Sequence, residues 1–378
     1  MSAGTASDVR GLDNVIALAS SVCRLSAEDG RLAYHGYDVR ELGERSTAEE
    51  TSYLLLHGEL PTGTELRLFT AELRDRQKLP PTLLKVLKGF PPTADPMTVL
   101  RAALAVLAAE HAVPVPPATE QAMQQGLLLL GMTPTIVAVW HRMRSGQRSV
   151  GPRKGRSAAA NFLAMVTGVE PVAEAARAFD TALIVRADNE LNPSTFAARV
   201  TAATGADVFG CVLAGLSALA GPRHGWHTRN VMAALDEIGV PEQVEDWVRQ
   251  RVALQKPVAG FGHVVYQGAD PRTELLRQLA EQQCQRAGMW PLFRVARELE
   301  TVVGRELGQH PIVDFYLAPL YRSLGLPTDL FTAVFAVSRM PGWVAHVMEQ
   351  YRDEKLLRPR ALYVGPADRA YRQLRGRR

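Results

Sequence analysis

The sequence predicts an all-α fold with a small N-terminal β-hairpin. Apolar residues recur at spacings of three and four through most of the chain, and Ala and Leu dominate where β-branched runs would mark strands. The exception lies early, where the turn-forming Glu28-Asp29-Gly30 separates two short extended segments. At 378 residues, 47% apolar and 22% charged, the chain is long enough for about two domains and a large buried core. A disulfide-stapled miniprotein and a low-complexity chain are both excluded.

The hairpin pairs Val22-Cys23-Arg24-Leu25 with Arg31-Leu32-Ala33-Tyr34. Helices follow. Ser46-Thr47-Ala48-Glu49 is a capping box, with Ser46 at the N-cap and Tyr53 to Leu56 supplying the buried stripe, and Gly58 and Pro61 end that helix. Residues Gln121 to Trp140 carry no charge, but Gln121, Gln124, Gln125 and Pro134 sit among them; the segment predicts a buried helix and a break, not a membrane span. Pro114, Pro116 and Pro117 mark a connection, and Arg142 to Arg156 a basic loop between two apolar helices. From Ala197 to Ala218 small residues prevail, which suits helices that approach closely, either at the centre of the fold or at a subunit interface.

The net charge is +4, and a C-terminal cluster of Arg369, Arg372, Arg375, Arg377 and Arg378 contributes to it. A basic terminus of this kind reads as a solvated tail, since a nucleic-acid footprint needs cations on a folded face. Cys23, Cys211 and Cys284 lie far apart without CxxC spacing, which suits a reducing, cytoplasmic setting, and Met1 to Arg10 has no secretory pattern.

Polar residues that a helical core rarely uses gather in four stretches. They are Arg186 to Pro193, Gly221 to His227 (a turn before a helix that Thr228 can cap), Gly260 to Arg272, and Val313-Asp314-Phe315 followed by Ser338-Arg339 and Arg358-Pro359-Arg360. His224-x-x-His227 has the spacing of a metal-binding pair, but it starts in a Gly-rich turn with no Cys nearby, and no metal site is expected. No GxSxG elbow and no phosphate-cradling loop occurs.

Together these stretches resemble the citrate synthase family. The family patterns, approximately HADHExN, GPxHGGAN, GFGHRVYK with DPR, NVDFY, SRxxGW and RPRAxYVGP, recur here in order, and similarity extends to Gly36-Tyr37-Asp38 and to Tyr53 through Pro61. The resemblance implies a two-domain helical fold, with residues 1–224 and 323–378 forming a large, dimer-forming domain and 225–322 a small one. It implies condensation of an acyl-CoA thioester with a 2-oxoacid such as oxaloacetate, then hydrolysis of the product thioester, with acyl-CoA as co-substrate and no permanently bound cofactor. Asp314 stands where the family has its base for the α-proton, His224 where a neutral imidazole stabilises the enolate, and His263 where the ketone is polarised. Arg272, Arg339 and Arg358 match the arginines that grip oxoacid carboxylates, and Arg358 is implied to come from the second subunit of a homodimer with shared sites. The chemistry needs such a set: a carboxylate removes a weakly acidic thioester proton only if a donor already faces the developing oxyanion.

The departures are specific. Asn189 replaces the second His of HADHE, which contacts the oxoacid, and Arg186 replaces the first. An amide donates a hydrogen bond but brings no charge. Trp226, His227, Ile312, Leu317 and Ala318 bulk up or dry the pocket, while His35, Val264 and Gln267 stand where cations are expected near CoA phosphates. Losing two charge-assisted bonds of ~1.5 to 3 kcal/mol each would weaken CoA substantially. Two functional classes therefore stay open: a condensing enzyme acting on small molecules, without nucleic acid or membrane partners, and a catalytically silent homologue that binds or regulates.

Overall fold

A computed structural model describes residues 10–12, 15–26, 30–262, 265–266, 268–371 and 373. The N-terminal sheet has three antiparallel strands, β1 (Cys23–Ser26), β2 (Arg31–Tyr34) and β3 (Tyr37–Asp38), with Cys23 opposite Tyr34 and Tyr34 opposite Tyr37. The third strand was not expected. It is only two residues long, too short for alternation to show, and a left-handed His35 (φ 44°) followed by Gly36 (φ 90°) turns the chain into it.

Helices make up nearly all the remaining regular structure. The first group is α1 (Val39–Arg45), α2 (Ala48–His57), α3 (Gly63–Asp75), α4 (Pro81–Lys88), α5 (Pro96–Glu110) and α6 (Thr119–Arg144). Then follow α7 (Ala158–Thr167), α8 (Ala173–Ile184), α9 (Pro193–Ala202), α10 (Val208–Leu219), α11 (His227–Ile238) and α12 (Val244–Ala253). The last are α13 (Thr273–Arg286), α14 (Trp290–Leu307), α15 (Val313–Ser323) and α16 (Phe331–Asp353).

Three local expectations are corrected. The N-cap of α2 is Thr47, whose hydroxyl accepts from Glu50 N at 3.1 Å, while Glu49 turns away to accept from Ala158 N, the first amide of α7, at 2.7 Å. Ser46 instead donates to Glu50 Oε2 at 2.7 Å. The pattern Ser-Thr-x-Glu-Glu offers two registers one residue apart, and long-range pairing of Glu49 selects between them. Secondly, α6 runs unbroken through Pro134; most of its middle is buried against neighbouring helices, α16 and α7 among them, and this tertiary setting outweighs the local cost of the proline. Thirdly, Thr228 does not cap α11; its hydroxyl is engaged in the site described below.

The core forms around α16, which packs against α2, α6, α9 and α10 and buries Trp343 completely. The small residues of α9 and α10 lie at this centre: Ala198 and Ala202 are buried, and a Cβ on Gly215 would come within 3.3 Å of the Trp343 ring. Other members of the set, Ala197, Ala203 and Ala214, are only partly covered by their own chain.

Candidate active site

The Arg186–Asn192 loop leaves α8 and enters α9, and several distant elements pin it. The Tyr34 hydroxyl of β2 accepts from Asp188 N at 3.2 Å and lies 3.1 Å from Asp188 O. Glu190 adopts the left-handed region (φ 51°) and its N–H donates to Asp188 Oδ2 at 3.2 Å, while Asn192 caps α9 by accepting from Ser194 N and Thr195 N. His346 Nε2 sits 3.1 Å from Asp188 Oδ2, and Arg199 reaches His346 Nδ1 at 3.2 Å. Since Arg199 can only donate, Nδ1 accepts and Nε2 carries the proton toward Asp188. Burial pushes the Asp188 carboxyl up, but His346 and Arg339 outweigh it and hold it below the ordinary range.

His224, in the turn between α10 and α11, places Nε2 2.8 Å from Ser194 Oγ and its ring edge-on to Phe335. Burial, with Arg339 and other cations nearby, lowers its pKa to about 3 against the favourable pull of Asp314, so the imidazole is neutral at physiological pH.

Asp314 lies in the first turn of α15 and is 6% exposed. Its Oδ1 accepts from Arg186 Nη2 at 2.5 Å and from the Thr228 hydroxyl, which in turn accepts from Arg186 Nη1 at 2.8 Å. The Arg186 guanidinium stacks 3.6 Å over the Phe335 ring. Burial alone would raise the Asp314 pKa; Arg186, His227, the Thr228 hydroxyl and Arg272 overcome it and keep the carboxylate below its usual range. The site thus brings an ionised carboxylate and a neutral imidazole into one electrostatic environment.

The arginines divide into three cases. Arg272 is buried and forked onto Asp270, Nε to Oδ1 and Nη2 to Oδ2 both at 2.8 Å, and Asp270 Oδ2 also accepts from Val313 N at the start of α15. Arg339, also buried, donates from Nε to Arg186 O at 2.9 Å and leaves Nη1 without a partner among the described residues. Arg358 stands apart, exposed on the segment beyond α16 and in no ion pair among the described residues. Asn189 lies midway along the loop, half-buried, with its Oδ1 buried and without a partner among the described residues. His263, with Val264 and Gln267, lies outside the described residues.

Of the pocket substitutions, Leu317 and Ala318 are fully buried on α15, whereas Trp226 is 38% exposed beneath the Arg229 guanidinium. Arg156 of the basic loop is paired with Glu170. Among the described residues no group of three or more His, Cys, Asp or Glu converges as a metal site. Ser194, Phe335 and His346 were missed in the sequence, and Thr228 was read only as a cap; each is an ordinary core or capping residue by pattern. Asp270 lay in the Asp-Pro-Arg motif without being assigned a role, and Arg186 carried a signal as a charge where the resembled family has an imidazole.

A helical frame thus gathers a buried ionised carboxylate, a neutral histidine and buried arginines, a set of groups suited to acid–base chemistry on anionic small molecules. The chain belongs to the citrate synthase family: the model "Citrate synthase, C-terminal domain" matches residues 11–360. It is similar to citrate synthase 2 of Bacillus subtilis (38% identity, covering 94% of this chain and 96% of that one). It is also similar to 2-methylcitrate synthase 1 of Corynebacterium glutamicum (34%, covering 95% and 96%). Among solved structures, citrate synthase from Thermoplasma acidophilum, in a ternary complex with carboxymethyl coenzyme A and oxaloacetate, superposes with a TM-score of 0.92 at 30% identity, covering 97% of this chain and 98% of that one.

Proposed function

We propose that the protein condenses an acyl-CoA thioester with a 2-oxoacid, oxaloacetate or a close relative, and then hydrolyses the thioester formed. It is an acyltransferase of the citrate synthase type. The observation that supports this reading best is Asp314, a buried carboxylate kept ionised beside a histidine kept neutral. Asp314 takes the α-proton, His224 donates to the enolate oxygen, and the enolate carbon attacks the oxoacid ketone, whose oxygen takes a proton from the position of His263. Water then cleaves the thioester, releasing CoA thiol and a carboxylate.

Arg339, whose Nη1 has no partner among the described residues, and Arg272 are suited to the oxoacid carboxylates, and the Asn189 amide to its remaining oxygen. The exposed Arg358 fits a role across the two-fold axis of a homodimer, as do the exposed Leu356, Leu362, Tyr363 and Val364 on the same segment, which a second subunit would cover. We assign residues 1–224 and 323–378 to a large domain and 225–322 to a small one, so that the Arg186–Asp314 pair joins the two. The three cysteines are free and buried, which accords with a reducing cytoplasm.

The test is the purified protein against a panel of acyl-CoA donors and 2-oxoacids, scored by thiol release and product mass. Thiol release with one pair, abolished in Asp314→Ala together with α-proton exchange, is the expected result. No turnover and no CoA binding by calorimetry would replace this reading with that of a silent homologue.

A further inference from the structure

We propose that Arg186 is a positioning residue for Asp314: its guanidinium and the Thr228 hydroxyl together hold Oδ1, leaving Oδ2 as the oxygen presented to the substrate's α-proton. This rests on the reading of Asp314 as the base. Both hydrogen bonds to the carboxylate fall on Oδ1, and none is made by Oδ2 among the described residues. Arg186 is itself fixed, being 1% exposed, laid flat on Phe335 and bonded through its other terminal nitrogen to the same Thr228. Carboxylate, hydroxyl and guanidinium thus close a ring of three hydrogen bonds, so the carboxylate plane cannot turn without breaking at least one of them.

The position is informative because the resembled family has an imidazole there, a group that gains or loses its charge near neutrality. A guanidinium, unlike an imidazole, does not exchange its charge near neutrality. The base therefore keeps a permanent counter-ion before substrate arrives and throughout the reaction. Among the described residues, the other groups facing Asp314 are His224 and His227 from the turn and start of α11, Arg272 preceding α13, and Tyr321 on α15. Only Arg186 combines a full charge with a direct bond to the carboxylate among the described residues. With that counter-ion, the acid limit of activity lies below that of a carboxylate buried without one.

The test is the pH profile of kcat/KM and of α-proton exchange in Arg186→Gln, with Arg186→Lys as the conservative control. Arg186→Gln is expected to move the acid-limb midpoint upward by about one pH unit or more. Its plateau should fall roughly ten- to hundred-fold as the carboxylate loses its orientation. Lysine should restore most of the midpoint but less of the plateau, because it supplies charge from a single nitrogen without the rigid two-nitrogen fork that spans Thr228 and Asp314. A midpoint unmoved in folded Arg186→Gln would overturn the proposal. If that variant does not fold, Thr228→Val removes the other bond to Oδ1; an upward shift supports the proposal and an unchanged midpoint overturns it. Titration of the Asp314 carboxyl, followed by 13C NMR of aspartate-labelled protein with Asp314→Asn for assignment, reads the same shift without turnover. A protein that turns over no substrate pair would thus fail the condensation reading while the Arg186 linkage was still decided.

Discussion

His224 Nε2 lies 2.8 Å from Ser194 Oγ, and the single proton of that hydroxyl selects the histidine tautomer. Ser194 Oγ also lies 2.7 Å from Asn192 Oδ1 and receives the Trp343 indole N–H at 3.2 Å. If the hydroxyl donates to Asn192, His224 carries its proton on Nε2. If it donates to His224, the proton sits on Nδ1, free to meet an enolate. Ser194→Ala removes the selection while keeping the fold. We expect α-proton exchange to fall by roughly ten- to hundred-fold with thioester binding little changed, measured by deuterium uptake and calorimetry.

Gly342 on α16 faces the site loop so closely that a Cβ would sit 2.3 Å from Ala187 O and 2.5 Å from Asp188 Oδ1. Here glycine is required by close approach, not by backbone conformation. Gly342→Ala should cost about 1 to 3 kcal/mol of stability through overpacking. It should also depress activity beyond that loss by displacing Asp188 and Asn189. Denaturant unfolding alongside kcat/KM measures both; a variant with unchanged stability would refute the close approach.

Two buried groups give stability opposite pH dependences. His224 has its pKa lowered from 6.5 to about 3, so between these values the unfolded chain binds more protons and stability rises with pH. Asp180 is raised from 3.8 to about 6, first by burial and then by Glu49, so across that window the native state binds more protons and stability falls as pH rises. Asp180→Asn should therefore make stability climb more steeply with pH over this interval, and His224→Gln less steeply. Melting curves across the range decide it, and identical slopes would remove both assignments.

Asn189 supplies a polar edge without charge. If oxaloacetate is the native oxoacid, Asn189→His should leave its turnover unchanged or better. If the pocket is built for another oxoacid, the same change should raise oxaloacetate turnover and lower that of the preferred substrate. The ratio of kcat/KM values over the oxoacid panel distinguishes the two.

Sharing of sites is testable by complementation. Arg358→Ala and Asp314→Ala proteins, each impaired, should regain part of the activity after subunit exchange, since mixed dimers contain one intact site. No recovery after exchange confirmed by mass spectrometry counts against a partner-supplied Arg358.

The sequence by itself determined the helical class, the hairpin and the end of α2 at Gly58, and it singled out Asp314, His224, Arg272 and Arg339 as candidates, because periodicity and motif order are local properties. Tertiary structure decided the rest. Whether Ser46 or Thr47 caps α2 depends on Glu49 meeting Ala158, more than a hundred residues away. Whether Pro134 breaks α6 depends on what packs around it, and Thr228 became a partner of Asp314 rather than a cap because α15 lies against α11. The charge states of Asp314 and His224 follow from burial and from Arg186 in the loop after α8, Arg272 just before α13 and Arg339 on α16, and no window of sequence contains those distances.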